Sequence, residues 1–127
     1  MRRLVPAAVL MVLSAPAAAQ SWEAEVLALH NRERAAWRVG PLSWDLGLAA
    51  GADAYARELA ATDRWGHSPR AARPGQGENL WMGTTGAFRL QAMVGAWISE
   101  KRWFRPGVFP AVSSTGRWSD VGHYTQM

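Results

Sequence analysis

Three histidines, His30, His67 and His123, carry the metal-ligating capacity of this chain, because it contains no cysteine. Without thiols there is no disulfide scaffold, no Cys-ligated zinc, no iron–sulfur centre and no thiol nucleophile. The histidines are not paired locally: His-Glu-x-x-His is absent, and no two stand four apart on a helix. A metal site must therefore be assembled from distant segments. His30 lies mid-helix beside an apolar stripe, in His30-Asn31-Arg32-Glu33-Arg34, where a buried imidazole with a backbone or side-chain partner is expected. Ser68, Ser99 and Thr125 lack a nucleophile signature such as Gly-x-Ser-x-Gly.

Two acids draw attention. Glu100 follows Trp97 by three residues and Met93 by seven, on the apolar stripe of a predicted helix. A carboxylate there is costly unless it is paired or hydrogen-bonded. Glu78 stands in Gly77-Glu78-Asn79-Leu80, a tight, glycine-led entry into an apolar segment. By themselves the two also read as a boundary acid that reaches solvent and an ordinary loop acid.

The elements that must position these groups follow from capping and periodicity. Ser21 can cap a helix with Glu23 and Glu25 in its first turn. Trp22, Val26, Leu29, Ala36 and Trp37 keep helical spacing, and Gly40-Pro41 should end the run. Asp45 is a second cap, for a helix to about Thr62 with the stripe Leu48, Ala52, Tyr55, Ala56 and Leu59. Residues 63–79 read as loop, and Asn79-Leu80-Trp81-Met82 as a short strand. A third helix is predicted over 86–104, with the stripe Leu90, Met93, Val94, Trp97 and Ile98 continuing through Lys101 and Phe104. Residues 105–120 are irregular and rich in Pro, Gly and Ser. Gly122-His123-Tyr124-Thr125-Gln126-Met127 reads as the start of another strand. Most of the eight tryptophans fall on helical stripes, while Trp65, Trp81 and Trp118 stand where they could line a cleft.

With 127 residues the chain is one small domain, and its 49 % hydrophobic content against 19 % charged excludes intrinsic disorder. Residues 1–19 read as a secretory signal peptide: Arg2 and Arg3, an apolar run from Leu4 to Leu13, then small residues ending in Ala17-Ala18-Ala19. The run is too short to anchor in a membrane, which takes about 20 apolar residues. Cleavage near Ala19 would leave residues 20–127 as a secreted or periplasmic chain with no transmembrane segment. It would also remove Arg2 and Arg3 from the formal charge of +4. No basic run or basic helix face remains to bind nucleic acid. The preference for Arg over Lys, with Lys101 the only lysine, and the abundance of Ala suggest a GC-rich bacterial source.

Six segments, in order, resemble the CAP superfamily of cysteine-rich secretory proteins, antigen 5 and pathogenesis-related class 1 proteins. They are His30-Asn31 through Arg34, Val39 to Asp45, Gly66-His67-Ser68, Gly77-Glu78-Asn79-Leu80, Trp97-Ile98-Ser99-Glu100 and Gly122-His123-Tyr124-Thr125-Gln126. The resemblance implies an α+β fold, an α-β-α sandwich with a small antiparallel sheet between helices. It also implies a cleft holding His67, Glu78, Glu100 and His123, where the histidines contact zinc or another divalent cation and the glutamates lie alongside. Two imidazoles leave coordination positions open, and two carboxylates offset the ion's charge.

Relative to the family pattern, the chain stops at Met127, it has no cysteines, and residues 105–121 carry their own Pro- and aromatic-containing insertion. The sheet is accordingly expected to lack its last strands, and the domain, residues 20–127, to be incomplete at its C-terminus. Functionally the resemblance implies a binding or extracellular signalling and defence module, with a lipid or sterol as one ligand class. The alternative is a metal-dependent hydrolase or protease, with Glu78 or Glu100 as general base. Binding is favoured over catalysis, because the family's shared trait is not a common catalytic activity. The oligomeric state is left open.

Overall fold

Ser21 opens the first helix as its sequence predicts. The computed structural model describes residues 21–127, so the proposed signal peptide lies outside the described residues. Helix α1 spans Trp22–Ala36, and the Ser21 hydroxyl accepts from the Ala24 amide at 3.3 Å. Arg38 then takes a left-handed conformation (φ 57°), and the Val39 amide turns back to the Arg34 carbonyl at 2.9 Å. Helix α2 spans Leu46–Thr62, with the Asp45 carboxylate accepting from the Leu48 amide at 2.9 Å. It ends at Asp63, also left-handed (φ 50°).

Helix α3 spans Leu90–Ile98 and tightens into a 3₁₀ helix over Ser99–Trp103. It starts four residues later than its periodicity predicts. A turn closed by the Ala87 amide on the Thr84 carbonyl, with Gly86 at φ 77°, takes up the residues in front of it. The Ser99 hydroxyl bonds back to the Ala96 carbonyl at 2.7 Å, at the point where the α-helical register gives way.

The stripe of α3 faces α1 and the last residues of the chain. Val94, Tyr124 and Met127 are buried, and Leu29, Leu90, Trp97, Ile98 and Phe104 close around them. The Gln91 side chain donates to Glu25 and ties the two helices at their edge. Helix α2 buries none of its residues. Its link to the site is Tyr55, whose hydroxyl donates to the Gly66 carbonyl at 2.7 Å, one residue before His67.

The expected sandwich is not there. Among the described residues there is no β-strand and no sheet, only an isolated antiparallel bridge between Phe104 and Ser113. The α+β expectation is therefore corrected to helices joined by irregular loops. The physical reason is the destination of the backbone hydrogen bonds, since a strand needs a neighbour to satisfy its amides and carbonyls. At the expected strand Asn79–Met82, the Leu80 carbonyl instead accepts from the Trp97 indole at 3.2 Å. The expected strand from Gly122 is replaced by a 3₁₀ turn over Tyr124–Gln126, which follows another over Trp118–Val121. There the Gln126 and Met127 amides bond three residues back, to His123 and Tyr124.

Candidate functional site

The four residues singled out as a cleft are organised as two histidine–glutamate pairs, each built on a different part of the chain. In the first, His67 donates from Nδ1 to Glu78 Oε1 at 2.6 Å. The same oxygen accepts the Ser68 amide at 3.0 Å, and Oε2 accepts the Ser68 hydroxyl at 2.6 Å. Arg73 supports this cluster from behind. Its Nε lies 3.7 Å from Glu78 Oε1 and donates to the Ser68 hydroxyl at 2.9 Å, while Nη1 donates to the Gln76 carbonyl at 3.0 Å. Burial works to raise the Glu78 pKa. The bonds from the Ser68 hydroxyl, His67 and the Ser68 amide, with the Arg73 charge, outweigh it and hold the carboxyl below the ordinary glutamate range.

In the second pair, Glu100 reaches from the 3₁₀ helix behind α3. Its Oε1 accepts from His123 Nδ1 at 2.6 Å, and its Oε2 accepts the backbone amides of His123 and Tyr124 at 3.0 and 3.1 Å. The His123 ring stacks on Trp97, with planes 10° apart and centroids 6.3 Å apart. A carboxylate on an apolar stripe thus finds three donors, which is what its position demanded.

Both pairs have the same chemical consequence. A carboxylate can only accept, so each imidazole must carry its proton on Nδ1. In the neutral ring the lone pair is then on Nε2, the atom a metal would use. The acids are largely covered, at 15 % and 20 % side-chain exposure, while the rings are open at 54 % for His67 and 39 % for His123. Carboxylates that orient histidines from behind are the usual outer shell of a metal site. On donor chemistry the pairs fit a divalent cation held by imidazole. They do not form a four-ligand cage: among the described residues, no three or more His, Asp or Glu side chains gather closely enough to hold a metal.

The two pairs are joined by Asn79, whose side-chain amide donates to the His123 carbonyl at 2.9 Å. Gly77 lies so close to Gln126 that a Cβ there would collide with its side-chain amide. An open cavity of about 510 Å³ lies against Glu100, lined also by Ser99, Arg102, Trp103, Arg117 and Asp120, and no histidine borders it.

His30 bonds to neither pair, although its ring packs edge-on against Trp97, the indole that stacks on His123. Its Nδ1 donates to the Val26 carbonyl of its own helix at 2.8 Å. Its neighbours hold the chain in shape: Asn31 exchanges two hydrogen bonds with the Leu42 backbone, and Arg34 donates to the carbonyls of Gly40 and Met127. Arg73, Glu33, Lys101 and Tyr124 were missed as supporting residues by sequence reasoning. For Glu33 the signal was available, because it stands four residues after Leu29 and four before Trp37 on the stripe of α1.

The model of the cysteine-rich secretory protein family, CAP, matches residues 27–127. Pathogenesis-related leaf protein 4 of Solanum lycopersicum is 39 % identical over 109 residues, covering 86 % of this chain and 62 % of that protein. Pathogenesis-related protein 1B of Nicotiana tabacum is 35 % identical over 119 residues, covering 92 % and 65 %. A pathogenesis-related protein 1 of Arabidopsis thaliana is 35 % identical over 124 residues, covering 98 % and 70 %. The chain thus spans less than two thirds of the length of the first two relatives. All three are plant proteins and lend no support to the bacterial source suggested by composition. No solved structure matches the chain. The match over residues 27–127 takes in the histidine–glutamate pairs and their supports alike, and the chain belongs to the cysteine-rich secretory protein (CAP) family.

Proposed function

We propose that this chain is an extracellular, defence-type binding module whose His67 and His123 imidazoles take a divalent cation such as zinc. The observation that carries the reading is the matched pair of short Nδ1 contacts, His67 to Glu78 and His123 to Glu100, each 2.6 Å. They fix both tautomers and leave both Nε2 atoms as ligands. A bound zinc ion would supply a Lewis-acidic centre with coordination positions left for water or ligand. The defence part rests on the names of the relatives, which are pathogenesis-related proteins. Export through a signal peptide cleaved near Ala19 belongs to the same reading.

The same geometry supports binding over hydrolysis. Glu78 and Glu100 each accept three hydrogen bonds from this chain's own groups. A general base needs a lone pair aimed at the proton it removes, and three of the roughly four acceptor sites on each carboxylate already hold histidine, serine or backbone groups. A lipid or sterol is a candidate ligand for the exposed apolar tip formed by Val108, Phe109 and Trp118.

The test is calorimetric titration of the purified chain with zinc. Wild type and His30→Ala are expected to bind, while His67→Ala and His123→Ala lose binding. Equal affinity in wild type and His67→Ala would sink the metal reading. Chelator-sensitive turnover of a peptide or ester, lost in Glu78→Gln, would move the assignment to a hydrolase. Retention of a radiolabelled sterol, unaffected by Glu78→Gln and reduced in Phe109→Ala, would support the lipid ligand.

A further inference from the structure

The buried charge of this molecule sits outside the two pairs. Glu33, on α1, is 7 % exposed, and among the described residues it is the one buried charged side chain. Its Oε2 accepts from Lys101 Nζ at 2.8 Å and from the Tyr124 hydroxyl at 3.0 Å. Those donors are the chain neighbours of Glu100 and His123. A single carboxylate oxygen therefore holds residues 101 and 124 from one side, while Glu100 and His123 hold each other from the other.

Tyr124 is constrained at every point. Its hydroxyl donates to Glu33 and accepts from the Trp37 indole at 2.7 Å, which fixes the direction of its proton. Its ring packs on Phe104 in the core, and its amide donates to Glu100. Among the described residues no strand holds His123, and this anchoring adds to the Asn79 bond on its carbonyl and the stack of its ring on Trp97. An ion pair of this kind gains little net stability over an apolar replacement, and fixing one arrangement is its best-attested use.

We propose that Glu33 is a positioning residue for the His123–Glu100 pair, acting through Lys101 and Tyr124. Its role in metal binding rests on the function proposed above; its role in setting the His123 imidazole does not. Burial works to raise the Glu33 pKa, and the bonds and charges of Lys101 and Tyr124, with the Arg32 charge, outweigh it, so the carboxylate is ionised at neutral pH.

The test uses nitrogen-15 NMR of the full chain without metal, comparing wild type, Glu33→Gln, Tyr124→Phe and Lys101→Arg at one pH. The readouts are the tautomer balance of each imidazole and the exchange rates of the His123, Tyr124 and Ser68 amides. In Glu33→Gln and Tyr124→Phe, the His123 ring is expected to lose its Nδ1–H preference. The His123 and Tyr124 amides should exchange about tenfold faster, the equivalent of one hydrogen bond. His67 and Ser68 should not change, and Lys101→Arg, which keeps the charge but not the compact ammonium, should shift the His123 signals less than Glu33→Gln does.

Unchanged His123 signals in a folded variant overturn the proposal, and so do equal changes at His67 and Ser68, which would mean general loosening. If Glu33→Gln does not fold, Tyr124→Phe decides, since it removes one hydroxyl; failure of that variant to fold assigns the network to the fold alone and also overturns the proposal. Zinc titration separates the two ideas. A roughly tenfold affinity loss in Tyr124→Phe, of the size seen for outer-shell partners, supports both. Wild type that binds no zinc while His123 still responds to Glu33→Gln refutes the metal reading and leaves the positioning role standing.

Discussion

Asn79 reaches across 44 residues to donate its side-chain amide to the backbone carbonyl of His123. Asn79 is the next residue after Glu78, so one hydrogen bond ties the loop of the first histidine–glutamate pair to the residue at the heart of the second. Removing it in Asn79→Ala should cost about 1 kcal/mol. For a domain of this size that lowers Tm by about 3–5 °C. Asn79→Asp should cost more, because it sets a carboxylate against a carbonyl oxygen. Thermal melts by circular dichroism check both, and equal Tm values for Asn79→Asp and wild type would contradict the bond.

Glu78→Gln keeps the shape of the side chain but removes the charge that His67, Ser68 and Arg73 surround. Zinc affinity should fall about 10- to 100-fold, the range for lost outer-shell partners. Glu100→Gln should act in the same direction through His123. Calorimetry on both variants reads the effect, and an affinity equal to wild type in each would remove the carboxylates from the site.

Acid should unfold the protein through two glutamates. Glu33 and Glu78 both have folded pKa values below their ordinary ones. The sign follows: their contribution is complete above the unfolded glutamate pKa, about 4.3, and is lost as pH falls through the lower folded values. Tm should be level near neutrality and drop below about pH 4, with a shallower drop in Glu78→Gln. A Tm that holds constant down to pH 3 would contradict this.

The core makes a separate demand. Val94 is 2 % exposed in a cluster with Tyr124, Met127 and Leu29 of α1, so Val94→Ala should destabilise by about 1–3 kcal/mol. Val108, 85 % exposed, should tolerate the same change within about 0.5 kcal/mol. Denaturant unfolding of the two variants measures the contrast.

The helices were legible in the sequence where a cap and a stripe agree. Ser21 and Asp45 both cap as read, and the stripe of α3 does face the core. The start of α3 was misread because Thr84–Ala87 closes a turn that periodicity does not register. The strands were misread because they were inferred from apolar composition and family resemblance. A strand depends on what lies beside it, and here the Trp97 indole and three-residue backbone turns take the hydrogen bonds a sheet would have used. His67, Glu78, Glu100 and His123 were legible as residues. Their pairing was not, because partners 11 and 23 positions apart leave no periodic trace. Glu33 could have been found by the rule that found Glu100, an acid on an apolar stripe.

The anchoring of Tyr124 by Glu33 also bears on the order of folding. The two residues stand 91 positions apart, and the neighbouring bonds from Trp37 to Tyr124 and from Arg34 to Met127 span 87 and 93. Helices α1 and α2 can form from local contacts as soon as their caps are made. The second histidine–glutamate pair must wait for a closure whose entropy cost grows with the logarithm of loop length and is met before any contact rewards it. During synthesis the residues of the first helix are therefore made long before their most distant partner exists, and the carboxylate of Glu33 remains in water until residues 101 and 124 arrive to cover it.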